Sequence, residues 1–241
     1  MNIPKTHPRY TSLKIRERLV KGIELGITSM DGLIAHGRGE AFDYLLGEKT
    51  RRFAKEAITG AASLLLLAKH PVISVNGNTA ALVTDELIAL SEVLSAPLEV
   101  NVFHASKERE KKIAAYLKAQ GAKVVLLPDA TCTILYLDSN RKYVHKDGIY
   151  KADLVFVPLE DGDRAEALIK NGKKVITIDL NPLSRTAKTA TVTIVDNITR
   201  VLPLLLKSIK IESKKKKTVL ERVWKEYDNK RVLREAIRWI K

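Results

Sequence analysis

The chain has 241 residues, of which 45% are hydrophobic and 29% are charged, and its formal net charge is +14. This length can bury a sizeable core as one α/β domain, but no apolar run reaches the roughly 18 residues of a transmembrane helix, and residues 1–9 lack a signal-peptide stretch. A single cysteine excludes an internal disulfide and favours a reducing compartment, so we expect a cytoplasmic protein that does not contact membranes.

The first 70 residues are expected to be helical. Apolar spacing predicts a helix from a Ser12 cap to a Gly26 stop, and a short second helix from Ser29 to about His36. A loop is expected at 36–40, where two glycines flank an arginine. A third helix should run over about 49–69, and its Gly60 would allow close packing against another element.

After Pro71, short apolar runs alternate with helical segments. This alternation predicts an α/β fold with a Rossmann-like parallel sheet and helices on both faces. Residues 128–150 show no clear period, and 134–137 fit a helix or a strand equally well. We expect strands at 72–75, 98–103, 124–127, 154–157, 175–179 and 192–195, with helices at 79–94, 107–120, 164–170 and 198–210 and a loop at 180–190.

The remaining residues form a charged helical tail. Residues 207–241 carry a net charge of +8, against +4 for 1–56 and +2 for 57–206. Two amphipathic helices are predicted after the lysine run, and their apolar faces need cover from the chain's own body or from a partner subunit. Abundant lysine with a single glutamine is typical of thermophilic proteins. Because the run has no interleaved aromatics, we do not expect nucleic-acid recognition. We treat 1–241 as one domain, divided into N-terminal helices (1–70), core (71–210) and tail (211–241).

Polar residues follow three of the predicted strands, where doubly wound folds bind ligands. Asn76, Gly77 and Asn78 join a strand to a helix start, where backbone N–H groups favour an anion. The alternative is a capped turn without a ligand. We regard these three residues as candidates for binding an anionic group of a ligand.

The second strand end carries Asp179, Leu180 and Asn181, followed by Arg185 and Thr186. A carboxylate ending a strand can accept hydrogen bonds from ribose hydroxyls, and an arginine in the next loop can grip phosphates. The alternative is a proline-containing turn with a solvated arginine.

The third strand end has Asn197 and Ile198 after an aspartate. Here the asparagine could serve only as the cap of the following helix.

Two further arginines are candidates for anion binding. Arg16 falls within the apolar arc of the first helix, formed with Ile15, Leu19, Val20 and Ile23, whereas Arg18 points the other way. An inward-facing arginine needs an anion, either a ligand or an acidic side chain. Arg38 lies between two glycines that would let it approach a ligand closely, or it is a mobile surface residue.

Other chemistry has little support in the sequence. The five histidines and Cys132 show no zinc-ligand spacing, and no nucleophile motif such as GxSxG occurs. The absence of a nucleophile suits reactions in which ATP activates the substrate. No catalytic residue or metal ligand is identified.

Several longer strings resemble a known family. They are HPRY at 7–10 with Ser12-Leu13 and Arg16-Glu17, GLIAHGRGEAFDYL at 32–45, PVISVNGN at 71–78 and LEVN at 98–101. Together they resemble the archaeal phosphopantothenate synthetases, also called 4-phosphopantoate–β-alanine ligases, over nearly the whole chain. No departure from the family pattern occurs within these strings.

The resemblance implies a homodimer with a Rossmann-like fold that acts in coenzyme A biosynthesis. It implies that 4-phosphopantoate, β-alanine and ATP give 4′-phosphopantothenate, AMP and pyrophosphate. We expect this chemistry to pass through an acyl-adenylate, with arginine, lysine and Mg²⁺ neutralising the developing charge. Competing hypotheses are a ligase for a related hydroxy acid, a non-catalytic nucleotide-binding regulator and a nucleic-acid binder working through the tail. The ATP contacts that the resemblance implies are Arg16, Arg38, Asp179, Leu180, Asn181, Arg185, Thr186, Asn197 and Ile198.

Overall fold

A computed structural model describes residues 3–103 and 106–240 of the chain. Six parallel strands form one sheet in the order β3-β2-β1-β6-β7-β8, and a short antiparallel hairpin, β4-β5, stands apart from it. The strands are β1 (Pro71–Val75), β2 (Leu98–Val100), β3 (Val125–Leu126), β4 (Asp129–Thr133), β5 (Tyr143–Val144), β6 (Leu154–Phe156), β7 (Lys174–Ile178) and β8 (Val192–Ile194).

Helices precede, connect and follow the strands. They are α1 (Tyr10–Glu24), α2 (Met30–Leu46), α3 (Arg52–Leu67), α4 (Gly77–Leu82), α5 (Thr84–Leu94), α6 (Lys107–Ala119), α7 (Gly162–Lys170), α8 (Arg185–Thr189), α9 (Ile198–Glu212), α10 (Lys217–Glu226) and α11 (Asn229–Ile240). A 3₁₀ turn (Asn140–Lys142) and a π-helical turn (Lys146–Tyr150) flank β5.

Both faces of the sheet are buried, as the continuous apolar runs require. On β1, Ile73 and Val75 join the larger core, which α3 and α9 cover, while Val72 joins a second core under α7 and residues 129–150. The Rossmann-like prediction is therefore confirmed. On the second face, the β4-β5 segment provides part of the cover.

The second helix is much longer than predicted. The expected loop at 36–40 is wrong, because α2 continues through both glycines to a left-handed Gly47 with φ 76°. The Ser29 hydroxyl caps its start by accepting from the Gly32 N–H at 3.3 Å. Glycine weakens a helix by only about 1 kcal/mol, and buried contacts at Glu40, Asp43 and Leu46 favour the continuous helix.

The bounds of several other helices and strands also differ from the predictions. The predicted helix at 79–94 is interrupted at Val83, and the strand predicted at 98–103 ends at Val100. The segment 134–137 is neither a helix nor a strand. The predicted loop at 180–190 contains α8, and Val20, predicted to be buried, is 46% exposed.

The tail packs on the body of its own chain. The Tyr227 ring after α10 lies so close to Gly60 of α3 that any side chain at Gly60 would meet it, which confirms the close packing expected there. The Asn229 side chain accepts from the Thr193 N–H of β8 at 2.7 Å. Across the described residues, no helix is long and apolar enough to cross a membrane.

Candidate functional site

The sheet changes direction between β1 and β6, where the connections leave to opposite sides. Doubly wound folds bind ligands in the crevice at this switch point. A cavity of about 330 Å³ opens there, within the size range of small-molecule sites. Its lining combines strand ends, α2 and a long connection: Ser29, Asp31, Gly32, Ala35, Arg38, Asn76, Gly77, Asn78, Val102, Phe103, Arg109, Arg141, Leu159 and Asp161.

Asn76 builds the floor of the cavity by joining the ends of β1 and β6. Its Oδ1 accepts from the Thr79 N–H at 3.0 Å, and the Thr79 hydroxyl accepts from the Asn76 N–H in return, which forms a capping box. Its Nδ2 donates to the carbonyls of Pro158 and Leu159 at 3.2 and 3.0 Å. The capped turn considered from the sequence is therefore present, and it lines the cavity.

Gly77 and Asn78 fasten the start of α2 to this floor. A Cβ at Gly77 would overlap the carbonyl oxygen of Ile27, so only glycine fits. Asn78 donates through Nδ2 to the Gly32 carbonyl at 2.8 Å, and its Oδ1 accepts from the Thr28 hydroxyl. The side-chain amides of Asn76 and Asn78 are thus engaged in hydrogen bonds within the protein. At this turn, mainly backbone groups are left to contact a ligand.

Arg38 extends from α2 over the cavity. It is exposed and makes no ion pair or hydrogen bond with the described residues. Burial raises the pKa of Asp161, another residue of the cavity lining, and the positive charge of Arg38 opposes this rise. Although the sequence argument placed Arg38 on a flexible loop, it lies on a continuous helix, and it lines the cavity.

Arg141 is a cavity residue that the sequence argument missed. Its Nε donates to Asn101 Oδ1 at 3.0 Å and its Nη1 to Asp161 at 3.0 Å, while Glu160 accepts from both terminal nitrogens, with Nη2 at 2.6 Å. Only 4% of its side chain is exposed. This guanidinium is fixed on three sides at the edge of the cavity, and Glu160 and Asp161 balance its charge.

Glu160 is the carboxylate shared by the two arginines of this buried charge network. Besides Arg141, it accepts from Nη1 of Arg164 at 2.5 Å, and that nitrogen also donates to Ser74 at 3.0 Å. Burial alone would raise the pKa of Glu160, yet the two guanidinium groups hold this pKa below its usual value. The network is anchored in β1 and α7, and it therefore fixes Arg141 to the rigid part of the fold.

Arg109 is the third arginine of the cavity and was also missed. It lies in the first turn of α6, half-buried, with a long 3.5 Å contact from Nη2 to the Ile27 carbonyl. Its buried Nε donates no hydrogen bond to the described residues. With Arg38 and Arg141, it is one of three arginines that line the cavity. Glu160 and Asp161 pair with Arg141, which leaves Arg38 and Arg109 to attract an anionic ligand.

Residues 179–186 and 196–198, which follow the ends of β7 and β8, form a polar ridge beside the cavity. The carboxylate of Asp179 accepts from the Asn181 N–H at 2.9 Å and from the Ser184 hydroxyl. Burial raises its pKa. A Cβ on Gly39 of α2 would lie 3.6 Å from the Leu180 side chain, so the ridge lies beside the helix that roofs the cavity.

The arginine of this ridge is paired in the structure. Arg185 donates to Glu166 through Nε at 2.6 Å, and it is 60% exposed. The hydroxyl of Thr186 donates to the Glu160 carbonyl at 2.8 Å, so α8 is tied to the charged network beneath the cavity.

At the end of β8, Asn197 caps α9 and also contacts α2. Its Oδ1 accepts from the Thr199 N–H at 3.1 Å, and its Nδ2 donates to Asp43 at 2.9 Å. Arg200 bridges Asp43 and Asp196, and Ile198 is buried. The cap considered as an alternative is therefore present in the structure.

Arg16 joins the same surface through a salt bridge. Its guanidinium donates to Glu40 of α2 at 2.8 Å, the acidic partner considered from the sequence. Hydrogen bonds from Arg16 and Tyr44 lower the pKa of Glu40, although burial opposes them. Arg18 instead donates to the Leu82 carbonyl at 3.0 Å, away from α2.

Helix α2 lies next to most of the residues that the sequence indicated as ligand-binding candidates. It lines the cavity through Arg38, contacts the ridge at Gly39 and Asp43, and binds Arg16 through Glu40. Asn78, Leu180, Asn197 and Arg16 therefore all lie beside α2.

The described residues hold no group of three His, Cys, Asp or Glu side chains arranged to bind a metal. Mg²⁺ bound with a nucleotide needs only one or two protein carboxylates, because phosphates and water complete its shell. Asp31 and Asp161 are the carboxylates that line the cavity. This donor set fits an ion that arrives with phosphates.

Comparison with known proteins relates the chain to one enzyme family. A family model described as phosphopantothenate/pantothenate synthetase matches residues 53–241. A Methanosarcina mazei protein named 4-phosphopantoate–β-alanine ligase is 52% identical over 238 residues, covering 98% of this chain and 93% of the relative. Proteins of the same name from Thermococcus kodakarensis (49% identical, covering 98% and 91%) and Methanospirillum hungatei (55%, covering 83% and 82%) are also similar.

Proposed function

The chain belongs to the phosphopantothenate/pantothenate synthetase family, and we propose that it joins 4-phosphopantoate to β-alanine in coenzyme A biosynthesis. In this reaction ATP is cleaved to AMP and pyrophosphate, and the product is 4′-phosphopantothenate. The observation that carries the proposal is the cavity with three arginines at the switch point, directly beside the polar ridge.

ATP is proposed to lie along the ridge. Asp179 and Asn181, with Leu180, would hold the nucleoside, and Asn197 and Ile198 would close the site at the end of β8. Arg16, Arg38, Arg185 and Thr186 would contact phosphates. Because Arg16 and Arg185 are paired with carboxylates, ATP has to draw them from these partners, whereas Arg38 makes no such pair with the described residues.

The phosphopantoate is proposed to occupy the cavity. Its phosphate and carboxylate are two anions, and the cavity offers Arg38, Arg109 and Arg141 to neutralise them. The turn formed by Asn76, Gly77 and Asn78 would hold one of these groups through its backbone. Arg109 supports this placement best, since it lines the cavity and its buried Nε donates no hydrogen bond to the described residues.

Two steps give the product. The pantoate carboxylate attacks the α-phosphorus of ATP, which forms an acyl-adenylate and releases pyrophosphate. The amine of β-alanine then attacks the activated carbonyl and releases AMP. The protein contributes position and positive charge, which together account for large rate effects in such reactions. Mg²⁺, bound with ATP, would neutralise phosphate charge.

We further propose a homodimer in the cytoplasm. The outer face of α2 exposes Met30 (63%), Ile34 (66%) and Leu45 (54%). Apolar side chains grouped on one helix favour a protein partner. A second copy of this chain, covering α2, would support the roof of both cavities.

A stoichiometric assay tests the proposed function. Purified protein should form AMP and 4′-phosphopantothenate in equal amounts from ATP, 4-phosphopantoate and β-alanine. A related hydroxy acid used much faster than phosphopantoate would indicate a different ligase. Binding of ATP without turnover of either acid would indicate a regulator. Salt-dependent nucleic-acid binding that disappears on removal of residues 212–241 would favour the third alternative.

A further inference from the structure

The cavity has two ends, which follow the course of α2. At Gly39 this helix lies beside the ridge, since a Cβ there would be 3.6 Å from the Leu180 side chain. Arg38, the preceding residue, lines the cavity. The helix begins at Met30, about 13 Å away along its axis. The cavity therefore has a ridge end at Arg38 and a far end at the start of α2.

Arg109 lies at the far end. Its Nη2 is 3.5 Å from the carbonyl oxygen of Ile27, shortly before α2 begins. A Cβ at Gly77 would lie 2.9 Å from the same nitrogen and 3.0 Å from the Cα of Thr28. The guanidinium thus lies against both the turn at Gly77 and the segment that leads into α2.

Arg109 has hydrogen-bonding capacity that the described residues do not use. Its Nε is buried and donates no hydrogen bond to them, and the Nη2 contact with Ile27 is long. A buried N–H group without an acceptor is unfavourable, so this arginine is suited to a ligand that brings acceptor oxygens. Arg141 differs, because Glu160 and Asp161 already pair with it.

The proposed reaction fixes the direction in which the substrate lies. The carboxylate of 4-phosphopantoate must reach the α-phosphorus of ATP, and ATP is proposed to lie along the ridge. The phosphate is at the opposite end of the carbon chain, so it points to the far end of the cavity. We propose that Arg109 binds this phosphate and thereby selects 4-phosphopantoate over unphosphorylated pantoate, an inference that rests on the proposed function.

A carboxylate at the same end makes the arginine necessary. Asp31 is in the first turn of α2 and also lines the cavity. Without the guanidinium of Arg109, a phosphate at this end would face a like charge, which is costly in a partly buried site. Pantoate has a neutral hydroxyl in place of the phosphate and gains much less from the arginine. Arg109 therefore discriminates between the two acids by charge.

Substrate preference tests this assignment. In Arg109→Met, kcat/KM for 4-phosphopantoate should fall about 100-fold, while kcat/KM for pantoate should stay within about threefold of wild type. Arg109→Lys should recover part of the preference. Arg38→Ala should lower both values by the same factor, because both acids carry the carboxylate. Lys111→Met is the matched control and should change neither value, since Lys111 is an exposed charge on α6 outside the cavity lining.

Equilibrium binding gives a second measurement that needs no turnover. Calorimetric titration of the wild-type protein should show that 4-phosphopantoate binds about 100-fold more tightly than pantoate. Arg109→Met should bind the two acids with nearly equal affinity. Arg38→Ala should keep the preference of the wild type, because the phosphate lies away from the ridge.

Three results would overturn the assignment. Equal losses for both acids in Arg109→Met would place Arg109 at the carboxylate or at ATP. An unchanged preference would remove it from the phosphate. A preference that is lost in Arg38→Ala but kept in Arg109→Met would reverse the direction of the substrate. If the wild-type protein formed no 4′-phosphopantothenate, the proposed function would fail, while the binding preference would still decide whether Arg109 recognises a phosphate.

Discussion

Replacing Arg38 with alanine gives the clearest test of the cavity. Arg38 makes no ion pair or hydrogen bond with the described residues, so its loss should change the free energy of unfolding by less than about 0.5 kcal/mol. One charge-assisted hydrogen bond to a bound anion contributes about 1.5–3 kcal/mol. The variant should therefore lose about 10- to 150-fold in kcat/KM.

The assay varies ATP and 4-phosphopantoate separately and measures AMP release. Arg18→Ala is the control, since Arg18 donates to the Leu82 carbonyl away from α2. An Arg38→Ala enzyme with wild-type kcat/KM for both substrates would remove Arg38 from the site. A large loss of folding stability would show that Arg38 has a structural role, contrary to this reasoning.

Two further predictions concern α1 and the buried face of the sheet. Arg16→Ala should raise the KM for ATP about tenfold while Arg18→Ala leaves it unchanged, and equal effects would contradict the assignment of Arg16 to the nucleotide. Burial raises the pKa of Glu99 to about 7 from 4.5, so the folded state binds more protons than the unfolded state between these values. The resulting stabilisation is complete below about pH 4.5 and is lost as the pH rises through about 7, a change of order 3 kcal/mol. Denaturant titrations at pH 5 and 8 should show this loss in wild type but not in Glu99→Gln, and parallel pH profiles would refute it.

Much of the fold could be predicted because strands and helices alternate regularly after Pro71. The strand ends then placed Asn76, Asp179 and Asn197 at one edge of the sheet without any knowledge of tertiary contacts. The prediction of a loop at Gly37-Arg38-Gly39 was wrong, because it relied on the low helix propensity of glycine. Buried contacts of Glu40 and Asp43 decide the conformation instead.

The missed arginines show where the sequence signal ends. Arg141 lies in the segment 128–150, which has no helical or strand period. Its position depends on Asn101 and Glu160, which are 40 and 19 residues away in the chain. One signal was available: Asn101 follows the end of β2 as Asn76 follows β1, and a buried amide at a strand end requires a partner.

That Asn76 and Asn78 bind the substrate remains a prediction. Their side chains are occupied by hydrogen bonds to the backbone at Pro158, Leu159 and Gly32. From the sequence, a capped turn and an anion site were alternatives. In the structure the capped turn lines the cavity, so the two alternatives are compatible.

Isotope transfer tests the central claim most directly. When 4-phosphopantoate carries ¹⁸O in its carboxylate, attack on the α-phosphorus leaves one labelled oxygen on that phosphorus. Turnover with ATP and β-alanine should therefore yield AMP that contains one ¹⁸O for each 4′-phosphopantothenate formed. Label in inorganic phosphate, accompanied by ADP, would contradict an adenylate formed between the cavity and the ridge.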